Sequence, residues 1–230
     1  MSAHRSNKKF VYLFLALVLF FGVAGVLATS IYKKFTQEVV VENSAMYTPP
    51  LEDDHYLLYD KKNTLTLITY ISLDCDHCKK AYLLEDEYIS SLATSSRHIN
   101  IIYRHNPLLS QPLSKEKALI SECVYNQTGD AQFFSFIKEV FVLYKKSDSN
   151  LWVKDIAKKY LTSQETFDQC LTSVAMKEKI QKQKNDNVLS GITYTPTVLV
   201  YHNKEFVRKY DGISGTVTHE LLRYYVQQNK

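Results

Sequence analysis

The order of apolar and polar positions along the chain predicts strands separated by helices. Residues 64–73, TLTLITYISL, are rich in β-branched and aromatic side chains and predict a buried strand. Apolar residues at helical spacing follow: Ala81, Leu84, Tyr88 and Leu92. A second strand is predicted over 98–103, HINIIY. The first half of the main domain is therefore expected to run strand, helix, strand.

The second half of the chain turns helical and then returns to strands. Residues 114–187 carry a helical pattern. Two strand-like runs, 195–203 and 205–212, are separated by a short turn and predict an antiparallel hairpin. A last amphipathic helix is predicted over 216–228. This order of elements predicts an α/β fold that contains a block of helices.

The N-terminal residues predict a membrane-spanning or signal helix. Residues 10–28 form an uncharged run that is long enough to cross a bilayer as a helix. Arg5, Lys8 and Lys9 precede this run and favour a cytoplasmic N-terminus. A cleaved signal peptide that ends at Ala28 is the alternative. Either interpretation places the rest of the chain outside the cytoplasm.

We therefore predict three parts: residues 1–30 as a signal anchor or signal peptide, 31–62 as a linker, and 63–230 as the folded domain. The chain has a formal net charge of +4, but the basic residues of the N-terminal part supply most of it. Positive and negative charges nearly balance beyond residue 30. No basic surface is expected, which argues against a nucleic-acid partner.

Four cysteines lie in the predicted exported part: Cys75, Cys78, Cys123 and Cys170. An even number of cysteines in an oxidising compartment is typical of disulfides. Three pairings are formally possible. The spacing of Cys75 and Cys78 favours a local pair, which leaves Cys123 with Cys170, although two free buried thiols remain an alternative for these last two.

The stretch CDHC, residues 75–78, lies where a predicted strand ends and a predicted helix begins. At a helix N-terminus, free N–H groups and the helix dipole stabilise a thiolate on the first cysteine. This position favours reversible disulfide exchange. His77 provides a cationic or hydrogen-bonding partner for the Cys75 thiolate. Asp76 opposes that effect by charge repulsion, which predicts a weaker oxidant than a motif with proline there.

Other uses of the two cysteines fit the sequence less well. A structural zinc site needs four ligands, and only one close cysteine pair is present, so no metal site is predicted. Covalent haem attachment needs histidine after the second cysteine, but residue 79 is lysine. A purely structural disulfide over so short a loop would stabilise the fold little.

Four segments of the chain resemble the DsbA type of thioredoxin-fold protein, the bacterial extracytoplasmic thiol–disulfide oxidoreductases. These segments are YISLDCDHC, NIIYRHNPL, ALISECVYNQTGDAQFFSFIKEVF and GITYTPTVLVYHNKEF. The resemblance covers roughly residues 65–228. It implies a thioredoxin fold over 63–230 with an inserted α-helical domain at about 108–188.

The resemblance also implies the roles of individual residues. Cys75 would be the nucleophile and Cys78 the resolving cysteine. Thr195 and Pro196 would form the substrate-binding loop that faces the motif, with a cis peptide bond before Pro196. Two further residues are implied to form a structural disulfide in the insertion, Cys123 and Cys170.

The chain departs from the family pattern at two positions. The best-known members have proline where this chain has Asp76. Some members carry a buried acid in the first strand, where this chain has Thr69, with Ser72 nearby. Water or a group elsewhere would then have to move the proton.

The implied function is the introduction of disulfides into exported proteins through the Cys75–Cys78 pair, without a cofactor. Its partners would be reduced exported proteins with cysteine pairs and a membrane protein that re-oxidises the motif. The chain would lie on the periplasmic side, anchored in the bacterial inner membrane by residues 10–28. The alternatives are a reductase or isomerase of the same fold, and a non-catalytic chaperone or binding module.

Overall fold

The computed structural model describes residues 46–228, except 53, 92–97, 109–110, 112, 145–148 and 213–214. The predicted N-terminal helix over residues 10–28 lies outside the described residues. Within the described ranges, no helix is long and apolar enough to cross a membrane.

A five-stranded mixed sheet forms the centre of the fold. Its strands are β1 (His55–Leu58), β2 (Leu65–Ile71), β3 (Ile99–His105), β4 (Thr197–His202) and β5 (Glu205–Tyr210). The strand order is β1–β3–β2–β4–β5. β2 is parallel to β3 and antiparallel to β4, while β1 and β5 pair antiparallel at the two edges. Strand β2 is thus central, and all seven of its residues are buried.

Six helices complete the described fold. They are α1 (Asp76–Ser91), α2 (Ser114–Val142), α3 (Leu151–Ala157), α4 (Gln164–Thr172), α5 (Val174–Leu189) and α6 (Gly215–Gln228). Helices α2 to α5 are inserted between β3 and β4, which confirms the helical insertion expected from the sequence. Helix α2 is bent at Gly129, whose φ of 70° is a left-handed conformation that glycine adopts at little cost.

The sheet separates two apolar clusters. Alternate residues of β2 point to opposite faces, so Leu65, Leu67 and Ile71 join one cluster, and Ile68 and Tyr70 join the other. The first cluster is the larger and contains residues of α1, α2 and α6. This packing fixes the end of β2, after which the cysteine motif begins.

The prediction of a linker over 31–62 is wrong for its last part. Residues 55–58 form β1, which pairs with β3 at the edge of the sheet. Arg104 holds the preceding segment in place, with hydrogen bonds to both carboxylate oxygens of Asp54 and to the carbonyls of Thr48 and Pro49. A guanidinium with several acceptors on one segment fixes it firmly, so these residues belong to the folded domain.

A disulfide joins Cys123 of α2 to Cys170 of α4, across a sequence separation of 47 residues. Cys123 has no exposed surface. The bond therefore links two helices inside the insertion.

Candidate active site: a cysteine pair at a helix N-terminus

The two motif cysteines lie where β2 leads into α1. The Cys75 N–H donates to the carbonyl of Ser72 at 3.1 Å, which closes a tight turn after the strand. The Cys78 N–H donates to Cys75 Sγ at 3.3 Å. The sulfur thus takes the place of a helix N-cap acceptor, at the positive end of α1.

The two thiols differ in acidity. The pKa of Cys75 is lowered to about 6. The largest cause is the neighbouring Cys78 thiol; the Thr195 side chain and the N–H groups of Cys78 and His77 lower the pKa further, against the opposing effect of burial. Burial, and then the neighbouring Cys75, raise the pKa of Cys78 well above its ordinary value. Cys78 has no exposed surface, whereas Cys75 is 7 % exposed. Near neutral pH, Cys75 is therefore the thiolate of the pair and the reactive sulfur.

The loop before β4 faces Cys75. The Cys75 thiol donates to the Thr195 carbonyl at 3.3 Å, and the Thr195–Pro196 peptide bond is cis. The Thr195 hydroxyl is buried and has no hydrogen-bond partner among the described residues. This side chain lowers the pKa of Cys75, as expected of an unpaired hydroxyl that can donate to a neighbouring thiolate.

The two residues between the cysteines are exposed. His77 contributes its main-chain N–H to the Cys75 sulfur. Asp76 is the first residue of α1, where a carboxylate favours the helix but repels a neighbouring thiolate. The structure thus places both residues beside Cys75, as the motif spacing requires.

A buried ion pair, which no local sequence pattern indicates, also lies next to the motif. Lys117 Nζ contacts the carboxylate of Asp74, the residue before Cys75, and both side chains are buried. Tyr144 donates its hydroxyl to the Asp74 carbonyl at 3.0 Å. Thr69 is also buried but carries no charge. Asp74, beside the motif, is thus paired with a lysine of the insertion, while strand β2 contributes an uncharged residue at position 69.

A second buried polar cluster joins β1, β3 and α2. Glu122 Oε1 accepts a hydrogen bond from His55 Nε2 at 2.7 Å and lies 3.4 Å from His105 Nε2. Lys179 Nζ donates to Glu122 Oε2 at 2.7 Å. Burial raises the pKa of Glu122, but the hydrogen bond and the charges around it hold the pKa at about 2. The hydrogen-bond donors and charges around the buried carboxylate thus stabilise its ionised form.

Comparison with known proteins agrees with this architecture. A family model described as Thioredoxin matches residues 56–218. No curated protein sequence matches the chain significantly.

Solved structures provide closer detail. Wolbachia pipientis alpha-DsbA1 is 25 % identical, with a TM-score of 0.65 over 81 % of this chain and 97 % of that chain. Pseudomonas aeruginosa DsbA2 is 22 % identical, with a TM-score of 0.57 over 76 % and 96 %. Bacillus subtilis BdbD in its oxidised form is 17 % identical, with a TM-score of 0.62 over 79 % and 95 %.

The fold and the cysteine pair together define a thioredoxin-fold oxidoreductase with a helical insertion. The chain belongs to the thioredoxin family, and within that fold it is of the DsbA type.

The acidity of Cys75 predicts the pH dependence of its alkylation. In the reduced protein, the rate of reaction with iodoacetamide is expected to be half-maximal near pH 6, because only the thiolate reacts and the pKa is about 6. A Cys75→Ala chain is the control, since the buried Cys78 should stay unreactive. A midpoint at about pH 8.5, which is the pKa of an unperturbed thiol, would contradict the low pKa assigned to Cys75.

Proposed function

We propose that the protein is a thiol:disulfide oxidase that transfers the Cys75–Cys78 disulfide to pairs of thiols in exported proteins. The observation that carries the proposal is the position of Cys75 at the N-terminus of α1, where its sulfur accepts the Cys78 N–H at 3.3 Å, while Cys78 is fully buried. The pKa values of the two thiols are accordingly shifted in opposite directions. A thiolate of low pKa leaves easily, and a stabilised reduced form makes the corresponding disulfide a stronger oxidant.

The reaction follows from this asymmetry. A substrate thiolate attacks Cys75 Sγ of the disulfide form; the Cys75–Cys78 bond breaks, and its electron pair goes to Cys78 Sγ, which takes up a proton. A second substrate thiolate then attacks the substrate sulfur of the mixed disulfide, and Cys75 leaves as a stabilised thiolate. The substrate gains a disulfide, and its two electrons remain on the motif.

The proposed substrate contacts are Thr195 and Pro196, because this loop lies against the reacting sulfur. The exposed ring of His77 would assist at the same face. Cys123 and Cys170 are proposed to be structural, since their bond lies within the insertion and Cys123 is fully buried.

Sustained turnover requires an electron acceptor for the reduced motif. We propose a membrane protein that re-oxidises it outside the cytoplasm. The uncharged run over residues 10–28 supports this location and an anchor in the inner membrane. The proposed chemistry uses only the protein's own sulfur atoms and needs no bound cofactor.

The reduction potential of the Cys75–Cys78 pair tests the direction of transfer. The full chain is equilibrated in glutathione buffers, and the Cys75→Ala chain shows which transition belongs to the motif. A potential between about −180 and −120 mV is expected for an oxidase. A value near about −270 mV would favour a reductase instead. If no transition depends on Cys75, a chaperone or binding module would replace the enzyme.

A further inference from the structure

Asn106 lies at the edge of the sheet where the redox motif begins. It follows the last residue of β3, and its main-chain N–H donates to the carbonyl of Ile71 at 2.7 Å. Ile71 is the last residue of β2, four residues before Cys75. The side chain of Asn106 has no exposed surface. A buried amide in this position must find all its partners within the protein.

The side-chain amide of Asn106 forms four hydrogen bonds, two as a donor to the loop before β4 and two as an acceptor from α5. Its Nδ2 donates to the carbonyls of Ile192 and Tyr194, at 3.1 and 3.3 Å. Its Oδ1 accepts from Lys184 Nζ and Asn187 Nδ2, at 3.0 and 3.3 Å. An amide has two donor and two acceptor positions, so all four are occupied. The two donors on α5 determine which way the amide faces.

Lys184 allows only this orientation of the Asn106 side-chain amide. Its side chain is buried, and no carboxylate of a described residue lies within ion-pair distance of it. An ammonium can only donate, so it fixes the oxygen of Asn106 on its own side. The NH₂ group is then directed at the loop before β4.

That loop carries the residue that contacts the reactive sulfur. Tyr194 immediately precedes Thr195, whose carbonyl accepts from Cys75 at 3.3 Å and whose hydroxyl is buried beside it. Two other contacts hold the same loop: Ile192 N–H donates to the Asn187 carbonyl, and the Thr197 hydroxyl donates to the Tyr194 carbonyl. Asn106 ties the loop to the end of the strands that also position the motif.

We propose that Asn106, oriented by Lys184, is a positioning residue that holds Thr195 at its contact distance from Cys75 Sγ. The amide links the end of β3 to the loop and thereby fixes the distance between the end of β3 and the Thr195 carbonyl. For activity this inference rests on the proposed oxidase function. The positioning itself is a property of the reduced protein and does not depend on the direction of electron transfer.

The test is the alkylation of Cys75 in the reduced full chain carrying Asn106→Leu. Leucine is similar in size but removes all four side-chain hydrogen bonds. We expect the pH midpoint to rise by about one unit, because a displaced Thr195 hydroxyl no longer donates to the ionised sulfur. The carbonyl contact, which stabilises the neutral thiol, has the opposite but smaller effect, because a thiol is a weak donor. An unchanged midpoint would overturn the proposal.

Asn100→Leu is the matched control, because Asn100 lies on β3, the strand that Asn106 directly follows, and is also buried. Its Oδ1 accepts from the Asp60 N–H at 2.8 Å and from Asn63 Nδ2 at 3.3 Å. Asn100 lies six positions before Asn106, about 20 Å along an extended chain. The substitution removes two side-chain hydrogen bonds at a buried site but should leave the alkylation midpoint of Cys75 unchanged. An equal shift in both variants would show general loosening of the fold and overturn the proposal.

A double-mutant cycle tests the route of the effect. Thr195→Val removes the hydroxyl directly and should raise the midpoint. If Asn106 acts through Thr195, the combined variant should shift the midpoint by less than the sum of the single shifts. Additive shifts would contradict the proposed route. If Asn106→Leu does not fold, Lys184→Met decides, with a smaller upward shift expected and no shift counting against the proposal.

Discussion

Serine in place of Cys75 is expected to lower the oxidation of a reduced dithiol peptide to its uncatalysed rate, whereas serine in place of Cys78 should trap on the protein a peptide that is supplied as an activated disulfide. A hydroxyl cannot form the mixed disulfide, so Cys75→Ser removes the first step. Cys78→Ser keeps the nucleophile but lacks the thiol that releases it. Mass spectrometry of the peptide, and of the protein after reaction with an activated peptide disulfide, measures both results.

This expectation depends on the unequal positions of the two sulfur atoms. The Cys75 sulfur accepts a hydrogen bond from the Cys78 N–H at the start of α1 and lies against Thr195. Cys78 lies one turn further along the helix and has no exposed surface. The thermal unfolding of each serine variant serves as the control for folding. If Cys78→Ser lost the mixed disulfide and Cys75→Ser retained it, the roles of nucleophile and resolving thiol would be reversed.

Much of the architecture could be predicted from local patterns. Strand β2 is a run of β-branched and aromatic residues, and its helix follows with apolar residues on one face, so both were evident. The position of the cysteines between them was evident for the same reason. Helix α2 consists of two helical segments joined at Gly129, whose backbone conformation is not helical and bends the chain at that point.

Strand β1 could not be predicted in the same way. It has four residues, and what stabilises it is pairing with β3, whose residues lie more than 40 positions away. The segment before it is held by Arg104 through main-chain carbonyls, which have no signature in side-chain sequence. A short segment rich in proline and acidic residues therefore looks like a linker although it is part of the domain.

The groups around the motif could not be predicted from the sequence for a related reason. Lys117 lies 43 residues from Asp74, and Asn106 reaches carbonyls 86 and 88 residues further along. Only the topology brings them together. One signal was available for Asn106: it follows a strand parallel to the strand that carries the motif, and parallel strands end at the same edge of a sheet.

Breaking the Cys123–Cys170 bond is expected to be the largest single loss of stability in the chain. The bond closes a separation of 47 residues, for which the chain-entropy model predicts about 4 kcal/mol in the free energy of unfolding. The acidity of Cys75 should stay unchanged, because its hydrogen-bond partners belong to α1 and to the loop before β4.

A chain with Cys75→Ala and Cys78→Ala isolates this effect, because two of the four cysteines are replaced and the remaining two can form only the Cys123–Cys170 bond. Urea unfolding of its oxidised and reduced forms compares one covalent bond in an otherwise identical chain, so no buried side chain is truncated. We expect the midpoint to fall on reduction, with most of the loss arising from a less restricted unfolded state. A difference below about 1 kcal/mol would mean that the packing of α2 against α4 holds the insertion together without the bond, since a fully effective cross-link of this span contributes several times as much.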